Sequence, residues 1–344
     1  MVIKLIKKSV VYFKVTKETM GIKNLNRFLI DNCSKKSIKK LHLKTFSNKT
    51  IVIDTSIYLY KFMSENALLE NMYLLISILK HYKIIPIFIF DGKPPPEKKD
   101  LLNRRKLEKK EAQEKYKLLE QSLTMEINDE RREELMLELE NLKRQFVRIK
   151  EEDIQNVKIL MDAYGVIYYN SPGEADQLCA YLVKQNKAWA CLSDDMDMML
   201  YGCTRVMRHI SLLNHTIVYY DFDLILKDLQ MSEQNFREIM VVSGTDYNIN
   251  SNTTLFDTMK WFQEYNKYLF DGTQNINQEQ SFYDWLLTNT NYITNEFDLR
   301  KIYSMFILDT YVVENNVLTT EKKLVVDKNQ LQQILRKEGF IGLG

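Results

Sequence analysis

The chain has 344 residues, of which 45% are hydrophobic and 27% charged, a globular balance that excludes a disordered, collagen-like or small disulfide-stapled protein. Its 48 basic and 46 acidic residues leave a net charge of only +2, so overall charge does not announce a polyanion binder and distribution has to decide. Four cysteines without close pairing argue against a zinc site and for reduced core thiols in an intracellular setting; no window is long and apolar enough to span a membrane, and the opening residues lack a signal-peptide pattern.

Residues 1–19 precede a second start-like segment at Met20-Gly21 and are expected to lie outside the fold. Lys35 to Lys49 holds six lysines and no acid, a candidate phosphate-facing patch whose plainer reading is a solvated face. Thr50–Ile53 and Ile84–Phe90 are apolar runs, each closed by an aspartate, and read as buried strands. Ser56–Tyr82 between them has helical spacing, which gives the strand, helix, strand order of a parallel sheet with a right-handed crossover. After Asp91 the turn GKPPP cannot continue a strand, and the charged stretch to about Asp153 reads as a helical hairpin seamed by Leu135, Leu139, Leu142, Phe146 and Ile149. Glu97 to Lys117 carries nine basic and five acidic residues, Glu120 to Glu140 eight acidic and two basic, so only the first half attracts polyanions. Gly165–Tyr169 is a third strand, Pro172–Lys184 a helix, Ala188–Ser193 a fourth strand, and Arg205–Ile210 with Thr216–Tyr220 a strand pair whose order in the sheet stays open. From Asp221 onward the chain is mainly helical, with polar loops around Asn248–Thr254 and Gly272–Gln280.

The informative pattern is where acids fall on these elements. Asp54 follows IVI, Asp91 follows FIF, and Asp195 and Asp197 follow AWACLS, so carboxylates gather at the strand ends where parallel sheets bind ligands. Any single aspartate there is more simply a turn former; three coincidences make that reading less comfortable. In SDDMD, read as extended chain, Asp195 and Asp197 face one way and Asp194 the other. Two such carboxylates about 4 Å apart at an effective dielectric near 20 repel by roughly 4 kcal/mol, so they require protons or cations, and oxygen donors suit Mg²⁺ or Mn²⁺. Ser171-Pro172-Gly173-Glu174 has the form of a capping box with Pro at the first helical position, which explains Glu174 structurally. Asp176 would lie nearly opposite it on an ideal helix, and Asp246 in SGTDY is by itself an unremarkable loop acid.

Taken in order, MGIKNL, VIDTSIYLY, FIFDGKPP, SPGEADQLCAYLVK, LSDDMDMMLYG and VSGTDY resemble the successive signature segments of the flap-endonuclease (XPG-type) nucleases, over about Met20 to Tyr247. The resemblance implies a PIN-like α/β/α sandwich with a mainly parallel sheet, a helical arch over about 97–152 within a nuclease domain of 20–247, and a packed helical region over 248–344. It implies that Asp54, Asp91, Glu174 and Asp176 hold one metal ion and Asp195, Asp197 and Asp246 a second, Asp176 standing where the family usually has Glu. Lys98 and Arg105 match the lysine and arginine that contact the scissile phosphate; seven apart, they would share a helix face, although alone they read as solvated side chains. Tyr60 matches a tyrosine that stacks on the base beside the cut, although by helical spacing it reads as core, and Gly21 matches a glycine packed near the active site. The family's glycine-rich turn, which binds potassium and grips duplex phosphates, is replaced here by NINSNTTLF, whose backbone cannot approach phosphate as closely. QLQQIL near the carboxy terminus lacks the paired aromatics of a sliding-clamp peptide.

The resulting expectation is a monomeric, Mg²⁺- or Mn²⁺-dependent, two-ion 5′ nuclease acting on branched DNA with a free 5′ end in replication, repair or recombination. An RNA-directed 5′ nuclease and an inactive nucleic-acid-binding branch are the alternatives. Reduced viral members of the family and the Lys, Asn, Ile and Tyr-rich composition point to a large DNA virus as source.

Overall fold

The computed structural model describes residues 22–122, 129–249, 252–270, 280–293, 296–308, 325–337 and 339. In chain order the elements are α1 (Leu25–Asn32), β1 (Ile38–His42), β2 (Thr50–Asp54), α2 (Thr55–Ser64), α3 (Leu68–His81), β3 (Ile85–Phe90), α4 (Lys99–Ser122), α5 (Asp129–Gln145), α6 (Glu151–Tyr164), β4 (Ile167–Asn170), α7 (Ala175–Lys184), β5 (Ala190–Leu192), β6 (Arg205–Ser211), β7 (Thr216–Asp221), α8 (Phe222–Leu229), α9 (Glu233–Ser243), α10 (Leu255–Phe270), α11 (Phe282–Asn289), α12 (Glu296–Met305) and α13 (Lys328–Lys337). The strands form one sheet in the order β1-β7-β6-β5-β2-β3-β4. Strands β6, β5, β2, β3 and β4 run parallel, and β7 and β1 are added antiparallel at one side.

Alternation along the central strands divides the core in two. Ile51, Ile53, Phe88, Phe90, Ala190 and Leu192 point into one apolar cluster with α2, α3 and α6, while Val52, Ile89 and Cys191 point into the other with α1, α7, α8 and α9. Both faces of the sheet are therefore covered, as a parallel sheet requires, giving the three-layer α/β/α sandwich. The second cluster runs on without a break into Phe262, Trp285, Ile302 and Phe306 of the carboxy-terminal helices.

Some expected elements change form. The single helix over Ser56–Tyr82 is two, α2 and α3, because Asn66 between them adopts the left-handed region at φ 53° and the chain turns there. Gly165 at φ 64° ends α6 in the same region, the conformation glycine adopts without strain. The lysine run forms β1, an edge strand that the charged sequence concealed. Lysine on an exposed edge discourages pairing with further strands, and Lys39 lies 5.5 Å from the Tyr219 ring centroid on the neighbouring strand. Helices α4 and α5 pack side by side with Leu135, Leu139 and Leu142 buried, and Lys115 pairs with Glu138 across them at 3.0 Å. The QLQQIL segment lies in α13, where Leu331 and Ile334 pack on the first cluster and the Asp327 N–H donates to the Ala163 carbonyl at 2.8 Å.

Phe88 is fully buried at the centre of this packing. Phe88→Ala is expected to destabilise the chain by about 3–5 kcal/mol, the range for a large aromatic removed from a core that cannot collapse, measured as a lower urea midpoint against wild type.

Candidate functional site

Strand ends and helix starts meet at one corner of the sheet. Asp54 is the last residue of β2 and the N-cap of α2: one carboxylate oxygen accepts the Ser56 N–H at 3.2 Å, the other the Ser193 hydroxyl at 3.2 Å. Asp91, exposed just beyond β3, accepts the N–H of Ala175 at 2.7 Å, the first residue of α7. Asp195, just beyond β5, caps a short 3₁₀ turn over Met196–Met199 and accepts the Asp197 N–H at 2.9 Å. Each of these acids thus sits at the positive end of helical backbone, where negative charge is favoured.

Two local readings of the sequence are corrected. Asp195 and Asp197 come together through the 3₁₀ turn and not through extended chain; Asp194 still turns away, accepting the His209 N–H at 2.6 Å. The Ser171–Glu174 segment is not a capping box with Pro172 as the first helical residue. Helix α7 begins at Ala175, and Glu174 is its N-cap in extended conformation, with no capping bond from its own side chain. The Ser171 hydroxyl instead donates to the Glu174 carbonyl at 2.9 Å. Because Glu174 lies outside the helix, the rule that i and i+2 oppose each other does not govern it and Asp176. Glu174 is released for the site, where it accepts from Lys98 at 2.5 Å and from the Tyr247 hydroxyl at 2.7 Å.

Gly92 fixes the loop that follows Asp91. Its N–H donates to the Gly173 carbonyl at 2.7 Å, and a Cβ at this position would lie 2.2 Å from the Ser171 carbonyl oxygen. Only glycine permits the two loops to run this close.

On the other side, side-chain oxygens of Asp195, Asp197 and Asp246 lie within 4.8 Å of one another, all three residues buried. Lys98 lies 3.7 Å and Arg105 3.2 Å from the same oxygen of Asp246. Lys98 belongs to the 3₁₀ turn Pro96–Lys98 that precedes α4, and Arg105 to α4 itself, so one shared helix face does not bring them together; both nevertheless reach the acids. Asp176 Oδ1 and Asp197 Oδ1 are buried without a hydrogen-bond partner. Unpartnered buried carboxylate oxygens are costly, and among tightly grouped acids they mark positions that a cation or water would complete.

The electrostatics follow from the crowding. Burial, then the charges of Asp91 and Asp195, push the Asp54 carboxyl up to about 7 from an ordinary 3.8, with the hydrogen bond from the Ser193 hydroxyl opposing. Burial and the neighbouring aspartates likewise raise Asp176, Asp195 and Asp197. Burial works against a charged Lys98, but Glu174, Asp176 and Asp246 outweigh it and hold the ammonium above its usual range.

Tyr60 is exposed, with Lys109 over its ring at 4.9 Å from the centroid; it is not the core residue its spacing suggests. Gly21 lies outside the described residues. Sequence reasoning passed over Ser193 and Tyr247, although Tyr247 stands inside the quoted segment SGTDY next to Asp246. Its hydroxyl also contacts that of Tyr201 at 3.1 Å. In the NINSNTTLF segment, the Asn248 side chain donates to the Val241 carbonyl at 2.8 Å and Thr253 to that of Val242, so polar side chains cap α9 in the loop where glycines were missing.

Comparison with known proteins gives two family matches, the XPG N-terminal domain over residues 20–112 and the XPG I-region over 165–246. Flap endonuclease 1 of Methanococcus aeolicus is 29% identical over 236 residues, 64% of this chain and 68% of that protein. The protein named "Probable RAD2-like endonuclease 369L" of Invertebrate iridescent virus 6 is 28% identical over 283 residues, 67% of this chain and 68% of that one. Flap endonuclease 1 of Aedes aegypti is 28% identical over 247 residues, with 62% of its length matched. Among solved structures, the catalytic core of Rad2 in complex with DNA substrate superposes with a TM-score of 0.62 at 20% identity, covering 90% of this chain and 93% of that one. Flap endonuclease-1 from Methanococcus jannaschii gives a TM-score of 0.57 at 21% identity, covering 88% and 90%. These two solved structures speak for the fold.

A raised carboxyl binds its proton more tightly in the folded chain than in the unfolded one, so its stabilising contribution is complete below the unfolded value and is lost as pH rises through the folded one. With Asp54 moved from 3.8 to about 7, the metal-free protein is expected to lose thermal stability between about pH 4 and about pH 7. Melting curves in EDTA check this: the drop should shrink in Asp54→Asn and be reversed by added Mn²⁺.

Proposed function

The chain belongs to the XPG family of flap-endonuclease-type nucleases, and from that premise we propose that it is a structure-specific 5′ nuclease hydrolysing phosphodiester bonds in branched DNA with a free 5′ end. The carrying observation is convergence: side-chain oxygens of Asp195, Asp197 and Asp246 lie within 4.8 Å of one another, Asp54 is near enough to Asp91 and Asp195 for their charges to raise it, and one buried carboxylate oxygen each of Asp176 and Asp197 has no partner. An all-oxygen donor set of this kind fits hard divalent ions, Mg²⁺ or Mn²⁺, and no softer ligand is needed. In this reading Asp54, Asp91, Glu174 and Asp176 hold one ion, and Asp195, Asp197 and Asp246 a second. The chemistry supplied by such ions is a lowered pKa for water and stabilisation of charge on phosphate oxygens.

The chain's own residues supply the rest. Lys98, held protonated by its acidic neighbours, and Arg105, one-third exposed, offer cationic donors at the mouth of the acid cluster. An arginine fork matches two phosphate oxygens, and such donors act on charge that grows in the transition state. Tyr60, exposed on α2 with Lys109 beside it, offers a face on which an unpaired base would stack. No covalent intermediate on the protein is required.

Asp195→Asn combined with Asp197→Asn is expected to remove Mg²⁺-dependent cleavage of a 5′-flap DNA while folding and substrate binding persist; cleavage at the wild-type rate would refute the metal assignment. Lys98→Ala is expected to lower kcat by on the order of 10²–10³, the usual loss for one transition-state donor, with a smaller change in KM. Flap, nicked, gapped and single-stranded DNA assayed beside single-stranded RNA at equal salt tests the substrate: preferential cutting of RNA would replace the DNA reading with an RNA-directed nuclease.

A further inference from the structure

We propose that Tyr247 is a positioning residue that fixes the orientation of Glu174 and the place of Lys98 through its hydroxyl and its ring; this rests on the nuclease reading above. Glu174 stands at an N-cap position without making the cap bond, so nothing in its own helix orients its side chain. Both of its oxygens are nevertheless engaged, one by the Lys98 ammonium at 2.5 Å and the other by the Tyr247 hydroxyl at 2.7 Å. The Lys98 nitrogen also lies 5.4 Å from the Tyr247 ring centroid. One tyrosine therefore meets both members of the Glu174–Lys98 pair, through its polar end and its π face.

The direction of the hydrogen bonds is determined by chemistry. An ionised carboxylate only accepts, so Tyr247 donates to Glu174, and the contact with Tyr201 at 3.1 Å has Tyr201 as donor. The Tyr201 hydroxyl thus polarises that of Tyr247 toward the carboxylate. Both rings are backed by Phe306, with centroids 4.9 Å and 5.5 Å away, and Phe306 is fully buried just beyond α12. The Tyr247 backbone is fixed as well: its N–H donates to Thr245 Oγ1 at 3.2 Å, and Thr245 is tied to Asn248 at 2.6 Å. Because Tyr247 directly follows Asp246, a displacement of one acid group is transmitted to the other. Partners that orient the groups around a metal typically influence affinity or activity by 10–100-fold.

The test is Mn²⁺ binding to the full chain without nucleic acid, followed by electron paramagnetic resonance of free Mn²⁺, beside a Mg²⁺ titration of flap cleavage. Tyr247→Phe keeps the ring on Phe306 and under Lys98 and removes only the hydroxyl. It is expected to weaken Mn²⁺ binding and raise the Mg²⁺ concentration for half-maximal cleavage about 10-fold or more, with the melting temperature and the KM for DNA unchanged. Tyr201→Phe should shift both in the same direction by less. Wild-type Mn²⁺ affinity in Tyr247→Phe would overturn this inference and leave the nuclease reading standing. A Tyr247→Phe chain that melts lower in step with its loss of Mn²⁺, while Tyr201→Phe is silent, would reduce Tyr247 to packing and overturn it too. A wild-type chain that neither binds Mn²⁺ nor cuts DNA would sink the reading on which it rests.

Discussion

Mutual repulsion among carboxylates taken out of water governs the arrangement of this molecule. Asp54, Asp195, Asp197 and Asp246 are each less than a tenth exposed, and Asp176 joins them with one oxygen wholly enclosed. Isolated buried charges of one sign are not tolerated in an apolar interior. The chain offsets them with fixed positive ends: backbone N–H groups at the starts of α2, α7 and the Met196–Met199 turn, and the Lys98 and Arg105 side chains carried in by the base of the α4–α5 hairpin. The sheet, the helix starts and the hairpin are thus parts of one electrostatic compromise, completed when protons or hard cations enter.

How much of this could be read in the sequence depends on how local each cause is. The strand-end acids were legible because a parallel strand buried on both faces is written as a continuous apolar run, and Asp54, Asp91 and Asp195 stand where those runs stop. Glu174 was harder, since an N-cap and a first-turn residue look alike in one dimension and only the backbone shows α7 starting at Ala175, three residues after Pro172. Strand β1 was hidden because its two lysines, Lys40 exposed and Lys39 half-buried over the Tyr219 ring, break the apolar run that marks the central strands. Ser193 and Tyr247 carry no pattern of their own; their importance arises from neighbours more than 70 residues away, Asp54 for one and Glu174 for the other. The break at Asn66 was likewise invisible, because apolar spacing continues through it.

Similarity in sequence fades beyond Tyr247, yet the packing does not. Leu255, Phe262, Phe282, Trp285 and Phe306 continue the cluster that includes Leu25 on α1, and Lys301 on α12 pairs with Glu97 at 3.0 Å, one residue before Lys98. Carboxy-terminal residues therefore hold the hairpin base from one side and the Tyr201–Tyr247 pair from another. The loop after α9 spends its polar side chains on the last carbonyls of that helix, a local solution that serves the fold whatever it does for substrate.

The contact at Gly92 has a meaning for how such a site can change over time. Where Asp91 and Glu174 sit relative to each other is set by main chain against main chain, through the Gly92–Gly173 bond and the absence of room for a β-carbon. Side chains around the site can alter charge or reach one atom at a time. The gap between the two loops has no such gradual route: it keeps its width, or the corner opens as a whole.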